Sequence, residues 1–186
     1  MATRSRSAPV PLNANEEAFL RAFGRAILTV PRALDADLLR EQGMSMSEYS
    51  ALMFLSEAAG RRLRMGDLAL ASALSLSGMS RIVDRLEARG LVRRERCSSD
   101  ARGWEAVLTT AGLDRLKQVW PTHLASVRRH VIDHVQGLDL PTLTAAVQRF
   151  AVETQVGMAL QDPSETSTEA RAQTPSFRSA SGLFGQ

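Results

Sequence analysis

Between Ser75 and Thr109 the hydrophobic period of the chain changes once, with no linker to absorb the change. In "SLSGMSRIVDRLEARG" the residues Met79, Ile82, Val83 and Leu86 recur at helical spacing, Ser75 stands in the place of an N-cap, and Gly90 ends the run. The next stretches, "LVRRER" and "WEAVLTT", read as strands, with Trp104, Ala106 and Leu108 alternating with Glu105, Val107 and Thr109. The polar break between them predicts a hairpin whose tip is tight, exposed and carries an arginine. A short helical stretch, "MGDLALASAL", comes just before the capped helix. The centre of the chain therefore reads as a helix-turn-helix with a two-stranded hairpin beside it.

Helices flank this centre on both sides. One runs from Asn15 to Gln42, with Phe19, Phe23, Ala26, Ile27, Val30, Leu34 and Leu38 on one stripe; Pro31 kinks or splits it, and Gly43 ends it. In "SMSEYSALMFLSEAAG", Ser45 and Glu48 fit a capping box, Tyr49, Leu52, Met53 and Leu55 supply a buried face, and Gly60 closes the helix. After the hairpin a long helix starts near Thr110 and bends around Pro121. A last helix starts at "DLPTLT", with Pro141 at a tolerated first-turn position. The Ser-, Pro- and Arg-rich residues 1–14 read as a mobile arm, and the Ser-, Thr- and Pro-rich residues 161–186 as a disordered tail.

Charge singles out the same central region. The whole chain carries a formal net charge of only +3, yet ten of its arginines and only five acids fall between Arg61 and Arg102. A locally basic middle suits a surface that meets a polyanion. With Cys97 as the one cysteine no internal disulfide forms, and no apolar run has membrane-spanning length, so a cytoplasmic protein is expected, without membrane contact. There is no glycine-rich phosphate loop, no G-x-S-x-G and no H-E-x-x-H, so nothing points to an enzyme.

On the capped helix, the face opposite the apolar stripe shows Ser77, Gly78, Arg81 and Arg85. It is small near its N-terminus and cationic one turn later, as a helix lying in a major groove requires. Glu87 and Arg89 read as ordinary solvated charge. The stretch Met65–Gly112 resembles the winged helix-turn-helix core of the MarR family of bacterial transcriptional regulators. The pieces that carry the likeness are "DLA" at Asp67, "SRIVDRLEARGLV" at Ser80, "DARG" at Asp100 and "LTTAG" at Leu108.

The resemblance implies a mainly α fold with a small β-hairpin wing and N- and C-terminal dimerisation helices. It spans residues 15–160, with the winged core at 45–109 and the dimerisation helices at 15–42 and 110–160. It implies that Ser75, Ser77, Gly78, Arg81 and Arg85 form the recognition-helix contacts with double-stranded DNA. On the wing it implies Arg94, Arg96, Asp100 and Arg102, with Arg102 entering the minor groove and Asp100 bracing the tip through Arg102, Arg94 or Arg96. Two departures stand out: Leu76 replaces a common proline, and Arg64 replaces a Ser or Thr cap before the short helix, with Arg61, Arg62 and Arg64 offering extra phosphate contacts or a solvated turn.

The resemblance further implies a homodimer that holds two recognition helices roughly 34 Å apart on a pseudo-palindromic operator. It also implies repression relieved by a small-molecule effector. The apolar residues Leu113, Leu116, Val119, Trp120, Leu124, Val127, Val131, Leu143, Val147, Phe150 and Val156 exceed what one small core needs, which fits such a dimer. Tyr49, Met53, Trp104 and Trp120 could line an effector crevice, but each is more often plain core, and no ligand residue is assigned. His130 and His134 have the i, i+4 spacing of a zinc pair, but surface or interface histidines are the reading adopted, so no metal or cofactor is expected. Cys97 beside Arg96 offers a thiol switch that is not favoured. The remaining alternatives are a metal- or thiol-responsive regulator of the same fold, and a winged helix used for protein contact.

Overall fold

The computed structural model describes residues 10–97 and 103–159, the last nine of these by backbone alone. The expected tail, and all of the expected arm before Val10, lie outside the described residues. The first helix, α1 (Ala14–Gln42), starts one residue earlier than its hydrophobic stripe suggests, because Asn13 caps it. The Asn13 Oδ1 accepts from the N–H groups of Asn15 and Glu16 at 2.9 and 3.0 Å, and Glu16 returns a carboxylate to the Asn13 N–H. The helix runs unbroken through Pro31, so the expected split does not occur. Gly43, at φ +59°, ends it in the left-handed conformation.

The second helix, α2 (Met46–Glu57), has the Ser45–Glu48 capping box expected of it. It ends at Glu57, and Gly60 lies instead in a 3-10 turn, Ala59–Arg61. That turn leads into β1 (Arg62–Arg64), a strand that periodicity does not announce. The helix-turn-helix follows as α3 (Met65–Ala71) and α4 (Leu76–Ala88), then β2 (Val92–Arg96) and β3 (Trp104–Leu108). The hairpin is thus part of a three-stranded antiparallel sheet in the order β1-β3-β2. Arg62 pairs with Val107, and its guanidinium reaches Glu95 and Glu105 on the other two strands at 3.4 and 3.5 Å. Arg93 pairs with Val107 from the opposite side, so this buried valine has an arginine as register partner on each neighbouring strand. Trp104, expected inward, is 43% exposed.

The core lies where α2, α3, α4, α5 and the sheet converge, built on Leu52, Leu55, Leu68, Met79, Val83 and Leu86. Each such side chain contributes about 1.5–3 kcal/mol by leaving water. The long helix α5 (Thr110–His130) passes through Pro121 without a break and also joins this core, through Leu113, Leu116 and Val119. Those three residues therefore belong to the chain's own core and not to surplus apolar surface. A 3-10 turn, Ile132–His134, separates α5 from α6 (Leu140–Ala159), whose first turn is capped by the Asp139 carboxylate.

Between α1 and α5 sits the buried carboxylate of Asp37. It accepts from Ser126 Oγ at 2.7 Å, Arg40 at 2.6 Å and Arg129 at 3.3 Å, and faces His130 Nε2 at 3.0 Å. The Ser126 hydroxyl, then Arg40, holds this carboxyl well below the usual range. Farther along the same seam, Arg115 donates to the Gln42 backbone carbonyl.

Candidate nucleic-acid interface

Helix α4 starts at Ser75, whose Oγ accepts from the Gly78 N–H at 3.1 Å and lies 3.2 Å from Ser77 Oγ. The stripe Met79, Ile82, Val83 and Leu86 is buried as expected. This leaves Ser77 and Arg81 facing outward and Gly78 half-buried at the edge. Among the described residues the Arg81 guanidinium has no hydrogen-bond or ion-pair partner. A long cation with nothing to neutralise it, on a helix whose apolar side is fixed in the core, is available to an external anion.

Both flanks of α4 are tied down. On the α2 side Glu48, only 6% exposed, accepts from Arg85 Nε at 2.9 Å and from Arg89 at 3.4 Å. On the β2 side Arg94 donates to Asp84 at 2.6 Å, to Glu87 at 2.9 Å and to the Ser80 carbonyl at 3.1 Å, while its backbone N–H goes to the second Glu87 oxygen at 2.9 Å. Glu87 and Arg89, expected to be solvated charges, are thus members of the two braces. Arg85 follows Arg81 by one turn and lies at the α2 edge of the exposed face, held there by Glu48.

The wing residues divide. Arg94 turns back onto α4, away from the part in bracing the tip expected of it. The Arg96 guanidinium lies 4.6 Å above the Trp104 ring, its register partner across the hairpin, an attraction of about 0.5–1 kcal/mol for a partly exposed pair. Asp100 and Arg102, the expected tip, lie outside the described residues. Cys97 is buried at the end of β2, its N–H bonded to the Gly103 carbonyl. Of the basic turn before α3, Arg62 is spent on Glu95 and Glu105. Arg64 occupies the N-cap position of α3 without a side-chain cap bond, as its identity foretells.

The histidines do not assemble a metal site. Helix α5 ends at His130 and His134 sits in the 3-10 turn beyond, so one helix face does not hold both. Among the described residues no three His, Cys, Asp or Glu side chains are placed to hold a metal ion. His123, half-buried, packs against Tyr49 in a tilted arrangement with ring centroids 4.3 Å apart and lies 6.0 Å from Trp120. Burial pushes its pKa below the usual value and pushes the Tyr49 hydroxyl well above its own.

A family model described as the MarR family matches residues 42–103, which run from the end of α1 to the residue before β3. The crystal structure of AbsC, a MarR family transcriptional regulator from Streptomyces coelicolor, matches with a TM-score of 0.72 at 39% identity, over 79% of this chain and 99% of AbsC. The chain belongs to the MarR family of transcriptional regulators. A second regulator of the family from Streptomyces coelicolor, Sco3205, solved in complex with DNA, matches at 36% identity and a TM-score of 0.72, over 80% of this chain and 92% of its own. A curated relative, the HTH-type transcriptional repressor YetL of Bacillus subtilis, is 31% identical over 86 residues, 46% of this chain. The chain spans about half the length of the curated relatives it matches. As a MarR family member it has the expected fold, mainly helical with a small sheet as wing. No helix among the described residues is long and apolar enough to cross a membrane.

Proposed function

We propose that the protein is a homodimeric, sequence-specific DNA-binding repressor that places α4 in the major groove and acts in the cytoplasm. The observation that carries this reading is Arg81, a cation without a partner among the described residues, on the outward face of a helix braced on both flanks. Rigid presentation of such a side chain lowers the ordering cost of binding. The Sco3205 structure in complex with DNA supports the same use of the fold in a relative. Ser77 and Gly78 supply the low relief that brings the helix backbone close to base edges, while Arg102 and Arg96 are proposed to supply the wing contacts.

A homodimer is supported by the apolar residues that the chain leaves uncovered, among them Phe19, Leu20, Ile27 and Leu28 on α1 and Leu143, Val147 and Phe150 on α6. The two recognition helices of such a dimer meet one face of the duplex about one helical turn, roughly 34 Å, apart. Release by a small-molecule effector completes the proposal.

The experiment is a titration of wild type and Arg81→Ala against a duplex enriched by the wild-type protein from a random library, at several salt concentrations. The variant is expected to lose about 1–3 kcal/mol of affinity per half-site and to relax the preference at one base position. Equal affinity of the two proteins for the enriched duplex overturns the assignment of α4 as the reading helix.

A further inference from the structure

Glu48 carries a charge that the fold places but does not need for its core. Its Oε2 closes the α2 capping box on the Ser45 N–H at 3.3 Å and also accepts from Arg89. Its Oε1 accepts from Arg85 Nε at 2.9 Å, and Arg85 Nη1 donates in turn to the Arg81 carbonyl at 3.3 Å. The Arg85 guanidinium is held along one edge at two points, yet the side chain is still 53% exposed. The remaining N–H groups of the fork are therefore pre-aimed, next to Arg81, along the edge of the face proposed to meet DNA.

We propose that Glu48 is a positioning residue for DNA recognition, setting the place of Arg85 and thereby the preference for one duplex over another. The proposal rests on the DNA-binding reading above. An untethered arginine on a helix surface follows any phosphate, which adds affinity without sequence information. An arginine whose charge is partly matched by a buried carboxylate gains less from a phosphate at an arbitrary place. It gains fully from an acceptor only at the one place where its fork is held, and it has already given up rotamer freedom before it binds. Glu48 is itself fixed by the helix cap it completes, so the aim is inherited from the start of α2. Both oxygens of one carboxylate thus join the α1–α2 junction to the recognition helix.

The test is the ratio of affinities for the enriched duplex and a scrambled duplex of the same composition, measured for wild type, Glu48→Gln, Arg85→Ala and the double variant. Glu48→Gln keeps the volume and an oxygen for the Ser45 N–H. It is expected to lower the ratio about tenfold, through tighter and more salt-dependent binding of the scrambled duplex. In the Arg85→Ala background the same change is expected to move the ratio by less than about twofold. Arg85→Lys keeps the charge but lacks the Nε donor, and is expected to reproduce the Glu48→Gln behaviour. It supplies the answer if Glu48→Gln does not fold. An equal fall in both backgrounds assigns Glu48 to the fold alone and overturns the proposal, as does an unchanged ratio in Glu48→Gln or, if that variant does not fold, in Arg85→Lys. A wild-type protein that enriches no duplex overturns the DNA-binding reading and this proposal with it.

Discussion

Arg94 and His123 show how far a side chain's surroundings decide its role. In sequence Arg94 is one more cation on a basic strand, but the structure surrounds it with two carboxylates and a carbonyl at 2.6–3.1 Å. A guanidinium so engaged gives up little to a phosphate, so Arg94 serves the proposed DNA contact by holding β2 against α4. His123 is the opposite case, a titratable ring with little to satisfy it: its Nδ1 is shut off from solvent and has no hydrogen-bond partner among the described residues. Burial depresses its proton affinity in the folded protein, while the unfolded chain binds a proton near the usual 6.5. The unfolded state therefore takes up the proton first as the medium is acidified. The stability that the neutral ring contributes is complete above about pH 6.5 and declines below it until the folded ring is protonated too. Glu57, whose pKa burial raises, works with the opposite sign just above the ordinary carboxyl range, and remains in both proteins compared. His123→Phe keeps a ring against Tyr49 and removes the titration. Its melting temperature is expected to fall less between pH 7 and pH 5 than that of wild type, as read by circular dichroism; equal slopes would show that His123 is solvated.

At the scale of elements, the junction between the sheet and α5 is the tightest joint described. Thr109 Oγ1 donates to the carbonyls of Gly90 and Leu91 at 2.8 and 3.0 Å, accepts from the Gly112 N–H at 3.0 Å, and so stitches the end of β3 to the start of β2. Gly112 packs so closely that an added Cβ would sit 2.1 Å from the Leu91 carbonyl oxygen and 2.7 Å from Leu108 Cδ1. A backbone oxygen cannot swing aside, so Gly112→Ala is expected to cost about 2–3 kcal/mol and to lower the melting temperature by roughly 5–10 °C. A melting temperature within a degree of wild type would mean that α5 re-seats freely. The motif "LTTAG" was legible because this joint needs particular residues in a row. The caps at Ser45 and Ser75 and the stop at Gly43 were legible for the same reason, since helix ends are settled by neighbours in sequence. β1 was not, because three residues carry no period of their own and its partner lies more than forty residues away, Leu63 opposite Ala106. Nor were the braces on α4: the Glu48–Arg85 pair joins residues 37 apart, and charge spacing along one helix says nothing of what approaches it from another. Pro31 does not split α1, and α5 continues through Pro121. Each removes one N–H and crowds one turn, a cost of about 3 kcal/mol that the packing of a long helix can offset.

The whole molecule is finished only where its apolar surface is covered. Phe19 stacks on Phe23, and Phe23 meets Phe150 of α6 with centroids 5.6 Å apart, yet Phe19 and Phe150 both remain exposed. Leu20, Ile27 and Leu28 continue the exposed stripe along α1, and Leu143 and Val147 along α6. An uncovered apolar stripe on two helices distant in sequence marks a protein interface. In the proposed homodimer a second copy closes it with twofold symmetry, each stripe covering its counterpart. The same arrangement serves the proposed DNA contact, since α1 is fixed to α5 through Asp37, Ser126 and His130, and to the start of α2 through the Met46 N–H on Asp35 at 2.7 Å. Leu143→Asp with Val147→Asp places two charges on the exposed face of α6 without touching the core around Leu52. By light scattering, the wild-type protein is expected at twice the 20.3 kDa chain mass and the double variant at the single mass. On the enriched duplex the variant is expected to bind about 100-fold more weakly or worse, because its two half-sites no longer act as one ligand. The same variant on a duplex carrying a single half-site is expected to match the wild-type protein. A dimeric double variant would place the interface elsewhere. A monomer with undiminished affinity for the full site would show that each lobe reads DNA alone, and that the roughly 34 Å spacing does not govern the site.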